Sequence, residues 1–159
     1  MNEDRYTEIK SDPDYTVFRF VNEGRYGRLT KIVRFDKLKR RNNTFNLALG
    51  TVLNDGKVDF TSITNNGDRN KILATVAKIV YMVIQKYPDM DVYVTGSDSR
   101  RTLLYQRAII YAYDELIDTF NIYGVLTNDE MIDYEPFDRS KNYLGFLIEK
   151  KISDEQLVC

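Results

Sequence analysis

Asp91-Val-Tyr-Val-Thr-Gly-Ser-Asp-Ser-Arg-Arg-Thr-Leu-Leu-Tyr-Gln-Arg-Ala-Ile109 is the stretch whose reading decides the fold. Its first five residues are β-branched and aromatic enough for a short strand, Asp91 to Thr95. Gly96-Ser97 supplies a turn, and the helix that follows opens at Ser97 or Asp98 and is expected to run to about Phe120. Leu104, Tyr105, Ala108, Ile109, Ala112 and Leu116 recur at helical spacing and form its buried stripe. At 100° per residue Arg101 points with that stripe, Arg100 turns toward the flank, and Arg107 lies on the polar side. An inward guanidinium must find an anion or carbonyl oxygens, because leaving it unpaired costs several kcal/mol, about 3–5.

Upstream of this stretch the pattern of apolar residues has period 3.6 and then, further back, period two. Ile72, Leu73, Val76, Val80, Val83 and Ile84 mark one face of a helix that starts at the cap Asp68 and ends at Tyr87-Pro88. Before it come four expected strands, Tyr15 to Val21, Arg25 to Phe35, Thr44 to Leu53 and Lys57 to Ile63. Asn22-Glu-Gly24 and Asn54-Asp-Gly56 supply turns between them. Leu29, Ile32, Val33 and Phe35 break strict alternation, which predicts a bulge or register change near Lys31. Downstream, Tyr123 to Leu126 and Tyr143 to Lys150 are two further strands, joined by an acidic connection too long for a compact domain unless it is a flap or hides an element.

The predicted class is α+β. An antiparallel meander of about four strands leads into a strand-helix-strand-helix unit and a C-terminal strand pair, with two helices on one face of a mixed sheet. Residues 1–13 are expected to be a flexible arm, 14–152 a single domain, and 153–159 a tail. Strands 57–63 and 91–95 are expected to be parallel neighbours with a right-handed crossover. Both helices then start at one end of the sheet, and their N-termini make a candidate anion or phosphate site. The candidate ligands are Asn65, Asn66, Asp68, Ser97, Arg100, Arg101 and Tyr105. The competing structural role for Arg101 is to brace strand-end carbonyls or a neighbouring carboxylate, and for Asp68 and Ser97 simply to cap helices, while Lys71 is expected on the solvated side.

Composition excludes more than it identifies. The 159 residues carry a net charge of −1, so any polyanion must be met by a local patch. The run Lys37, Lys39, Arg40, Arg41 is the candidate nucleic-acid patch. There is no histidine, and the one cysteine is Cys159, which removes imidazole catalysis and zinc thiolate clusters from the sequence given. No metal or cofactor is called for. A cytoplasmic setting is expected from the lone cysteine and the polar start, and no apolar run is long enough to span a bilayer.

At these same residues the chain resembles a known family. Tyr15 to Phe20, Gly24 to Gly27, Lys31-Ile-Val-Arg-Phe35, Asn46-Leu-Ala-Leu-Gly50, Thr64-Asn-Asn-Gly-Asp68 with Lys71 and Leu73-Ala-Thr-Val-Ala77, Tyr87-Pro88, and Thr95-Gly-Ser97 with Arg101-Thr102, Leu104-Tyr105 and Ile109 carry the likeness. Together they are similar to an uncharacterised family of small bacterial proteins, a domain of unknown function, over roughly residues 14 to 125. Arg100, Leu103 and Gln106 depart from its pattern, and Arg101 follows it. The resemblance implies no activity. The expected function is accordingly a binding or interaction module with an anion, nucleotide or nucleic-acid phosphate at the two helix starts. The alternatives are a histidine-free ribonuclease of toxin type using Arg101 and Tyr105, and a structural protein that pairs with itself or another protein through a sheet edge.

Overall fold

The computed structural model describes residues 5–61, 68–127 and 131–151. In chain order the elements are β1 (Lys10–Ser11), β2 (Val17–Gly24), β3 (Gly27–Leu38), β4 (Arg41–Val52), β5 (Val58–Asp59), α1 (Arg69–Lys86), β6 (Asp91–Val94), α2 (Ser99–Tyr111), α3 (Tyr113–Leu116), β7 (Phe120–Thr127), β8 (Asp133–Pro136) and β9 (Gly145–Lys150). The strands join one sheet in the order β1-β2-β3-β4-β6-β9-β7-β8, with β5 on β4. The N-terminal meander, the helices and the C-terminal strand pair are those of the predicted α+β class.

Period-two alternation explains the helix-covered face. Phe18 and Phe20 of β2, Val33 and Phe35 of β3, Phe45 and Leu47 of β4, Val92 and Val94 of β6, and Phe146 of β9 are all buried. They lie against Ile72, Val76, Ile79, Val80 and Val83 of α1 and Tyr105 and Ile109 of α2. Edge-to-face contacts run across the meander, Phe18 to Phe35 to Phe45 to Tyr87, with centroids 5.9, 6.1 and 5.4 Å apart. Tyr93, Val125 and Leu147 form a smaller cluster on the other face, with Leu38, Tyr123 and Ile132 packed on it.

Several expectations are corrected. The described part of the expected strand 57–63 does not run parallel beside 91–95. β5 turns back through the Asn54-Asp-Gly56 hairpin, where Gly56 takes φ +85°, and pairs antiparallel with the far end of β4, Thr51 to Asp59 and Val52 to Val58. The parallel partner of β6 is the near end of β4, from Thr44 opposite Asp91 to Leu47 opposite Val94. β5 and β6 thus use the same edge of β4 and point toward each other. No bulge occurs at Lys31, whose pairing with Phe20 and Thr51 is continuous; the irregularity lies at Lys37/Leu38. Lys31 instead occupies a core-facing position.

The second helix is shorter than its apolar pattern suggests. α2 ends at Tyr111, its C-cap Ala112 leaves the helical basin at φ −103° and ψ 13°, and α3 follows. The long acidic connection hides a strand: β8 pairs with β7, Tyr123 to Pro136 through Thr127 to Asp133. In the segment expected as an arm, β1 pairs with β2 and Asp12 accepts from the amides of Thr16 and Val17.

Candidate functional site

The two helices do start at the same end of the sheet, and what lies beneath those starts is a row of buried polar side chains. β2, β3 and β4 place Asn22, Lys31 and Thr51 on the helix-covered face at that end, all buried. Lys31 is 6 % exposed and its Nζ donates to Thr51 Oγ1 at 2.7 Å. Burial holds this amine below the ordinary lysine range, and the nearby Arg101 guanidinium lowers it further, while Asp68 and Asp59 pull the other way.

Arg101 enters this row from α2 and is 8 % exposed. Nη1 donates to the carbonyl of Phe60, and Nη2 donates to the carbonyl of Leu49 at 3.0 Å and lies 3.5 Å from the Tyr105 hydroxyl. Leu49 falls between the last β4–β6 pair, at Leu47, and the first β4–β5 pair, at Thr51. The guanidinium therefore serves backbone oxygens where one strand ends and the other begins, replacing ladder donors that neither strand supplies. Burial raises the Tyr105 phenol above its ordinary range against the opposing pull of Arg101.

The carboxylates nearby are turned to neutral donors. Asp68 stands at the N-cap position of α1 but makes no side-chain cap bond. Its Oδ2 accepts from the Tyr6 hydroxyl and its Oδ1 from Asn22 Nδ2 at 3.3 Å. Asp59 Oδ1 accepts from the Thr61 amide and hydroxyl at 2.8 and 2.9 Å. Asp98, not Ser97, caps α2, with Oδ1 accepting from Arg101 N at 2.9 Å. Ser97 Oγ lies 3.4 Å from the Thr61 carbonyl. Among the described residues no ion pair joins Lys31 or Arg101 to a carboxylate.

The predicted site is thus divided. Asp68, Arg101 and Tyr105 come together with Lys31. Arg100 faces elsewhere, into an open cleft of about 520 Å³ lined also by Thr95, Gly96, Leu103, Asn142 and Leu144. Asn65 and Asn66 lie outside the described residues. Lys71 is half-buried, its Nζ 4.2 Å from the Tyr6 ring centroid. The sequence reasoning missed Lys31, Asn22, Thr51 and Tyr6. One signal was legible: Lys31, Val33 and Phe35 share a strand face, so Lys31 is a charge at a core position.

The basic run is a two-residue hairpin tip with strands on both sides. Lys37, Lys39 and Arg40 are exposed there. Arg41 points to the opposite sheet face, with Nη1 3.1 Å from Asp91 Oδ2 and its guanidinium 5.4 Å from the Tyr134 ring centroid. Burial raises the Asp91 carboxyl, Thr44 and Arg41 lower it, and Glu149 raises it.

Tyr6 ties the first described residues to the site. Its amide donates to Thr75 Oγ1, its ring stacks on Phe20, and burial together with the bond to Asp68 pushes its phenol up to about 12. A raised phenol pKa means the folded state holds its proton when the unfolded state has lost it. Stability from this group is full below pH 10 and is lost as pH rises from 10 to about 12. Urea titrations across that window should show a steeper decline in wild type than in Tyr6→Phe; parallel declines would count against the assignment.

Residues 2–151 match DUF6934, a family of unknown function, and the chain belongs to that family. No curated protein and no solved structure matches the chain. No helix among the described residues is long and apolar enough to cross a membrane.

Proposed function

We propose that this member of DUF6934 is a binding module for an anion, a phosphate-bearing small molecule or nucleotide, seated on Lys31 and Arg101 beneath the starts of α1 and α2. The observation that carries this is the pair itself. Two cationic side chains, 6 % and 8 % exposed, lie close enough that burial and the Arg101 guanidinium together hold the Lys31 amine below its ordinary range, and both have only neutral oxygens as partners among the described residues. Two desolvated like charges oppose folding, and a bound oxyanion would reverse the sign of that term. The helix dipoles aim their positive ends at the same place. The single cysteine of the sequence fits a reducing compartment such as the cytoplasm.

The test is a thermal melt with and without inorganic phosphate, sulfate and a nucleoside monophosphate. A ligand at a hundred times its Kd should stabilise wild type by about 2.7 kcal/mol. Lys31→Met should lose that shift while its apo form melts at or above wild type, because a buried like charge is gone. Absence of a shift in wild type with all three anions would remove the proposal.

A further inference from the structure

We infer that the ligand carries hydroxyl donors beside its oxyanion, which makes it a hydroxylated phosphate ester of the sugar-phosphate or ribonucleotide class; this rests on the anion-binding function proposed above. The inference comes from Asn22. This side chain is fully buried, and its Oδ1 has no hydrogen-bond partner among the described residues. Its amide orientation is fixed by chemistry: Nδ2 donates to Asp68 Oδ1 at 3.3 Å, and exchanging the two ends would set an amide oxygen against a carboxylate. Among the described residues an acceptor is therefore held in the core without a donor, while the other buried polar side chains at this end, Lys31, Thr51 and Arg101, are bonded.

Its position relates it to the cations. Phe20 pairs with Lys31 and Asn22 with Leu29, so Asn22 and Lys31 are diagonal neighbours on the helix-covered face. Such neighbours lie roughly 7–8 Å apart at the backbone, a span that side-chain reach and a pentose phosphate can bridge. Asp68 extends the acceptor side. Among the described residues each of its carboxylate oxygens takes one bond, from Tyr6 and from Asn22, which leaves acceptor capacity for a further donor. The site is thus cationic at Lys31 and Arg101 and hydrogen-bond accepting at Asn22 and Asp68, with Tyr6, Asp68 and Lys71 at a half-buried rim. Inorganic phosphate satisfies the first side only. A phosphate ester with neighbouring hydroxyls satisfies both.

Calorimetric titration of the full chain with propyl phosphate, ribose 5-phosphate and a ribonucleoside 5′-monophosphate tests this. One of the two hydroxylated esters should bind on the order of tenfold more tightly than propyl phosphate, the gain from giving a buried acceptor its donor, and the ratio between those two names the source. Asn22→Leu should bring all three toward the propyl phosphate affinity; Asn22→Ser, smaller and polar, serves the same comparison if the leucine does not fold. Equal affinity for all three in wild type would overturn the inference and leave the anion site standing, as would a hydroxyl preference that survives at Asn22→Leu or Asn22→Ser. Binding of none of the three would overturn the anion site and the inference with it.

Discussion

Arg101→Ala should cost the apo protein about 2–4 kcal/mol, because the carbonyls of Phe60 and Leu49 lose their donors at the point where β5 and β6 meet end to end on β4. Water can replace only part of the loss, since the guanidinium occupies a site that is 8 % exposed. Arg101→Lys keeps the charge but not the fork: one ammonium cannot serve both carbonyls in the same plane. That variant should lose less, about 1–2 kcal/mol. Urea unfolding at neutral pH measures both, and a loss under about 0.5 kcal/mol in Arg101→Ala would show that the junction does not depend on this side chain. The comparison also separates Arg101 from Lys31. Removing a brace destabilises, whereas removing a buried like charge does not, so opposite signs at the two positions are the signature of a braced cation beside a poised one.

What was legible in the sequence follows from which forces are local. Alternation at Phe18/Phe20 and Val33/Phe35, the Asn54-Asp-Gly56 turn, and the 3.6-residue spacing from Ile72 to Ile84 each reflect burial within one element, and those elements stand where expected. The inward direction of Arg101 was legible for the same reason. Strand partnership was not: β5 is two residues long among the described ones and carries no pattern that tells a hairpin return from a crossover partner. β8 was hidden because Asp-Tyr-Glu-Pro at an exposed sheet edge needs little apolar content. At Lys31 the broken alternation of Leu29, Ile32, Val33 and Phe35 favours a bulge, whereas the shared face of Lys31, Val33 and Phe35 favours a buried charge, and the helices laid over β3 decide for the second. The division of Arg100 from Arg101 needed no more than the helical wheel, whereas the clustering of Arg101 with Asn22 and Asp68 depends on residues tens of positions apart.

Gly96→Ala should destabilise by about 3 kcal/mol or more, at the upper end of overpacking, although the substitution adds one methyl group. A Cβ at Gly96 would lie 2.5 Å from Arg101 Cβ and closer still to the backbone nitrogen of Thr102. Those are atoms of the first turn of α2, not the end of a flexible side chain, so relief requires moving the helix. The Gly96 amide also donates to Thr102 Oγ1 at 2.9 Å, which fixes the approach from both directions. Gly27→Ala provides the contrast: it has φ +84° but nothing within 4 Å of its Cβ, so only backbone strain of about 1–2 kcal/mol is expected there. Because the Gly96 methyl would lift Arg101 off the Leu49 and Phe60 carbonyls, part of its cost is the loss of the brace. Gly96→Ala and Arg101→Ala should therefore be non-additive, the double variant losing less than the two single losses combined by at least about 1 kcal/mol. Strict additivity in urea unfolding would mean that the turn and the arginine act independently, and that the close approach at Gly96 does not position the guanidinium.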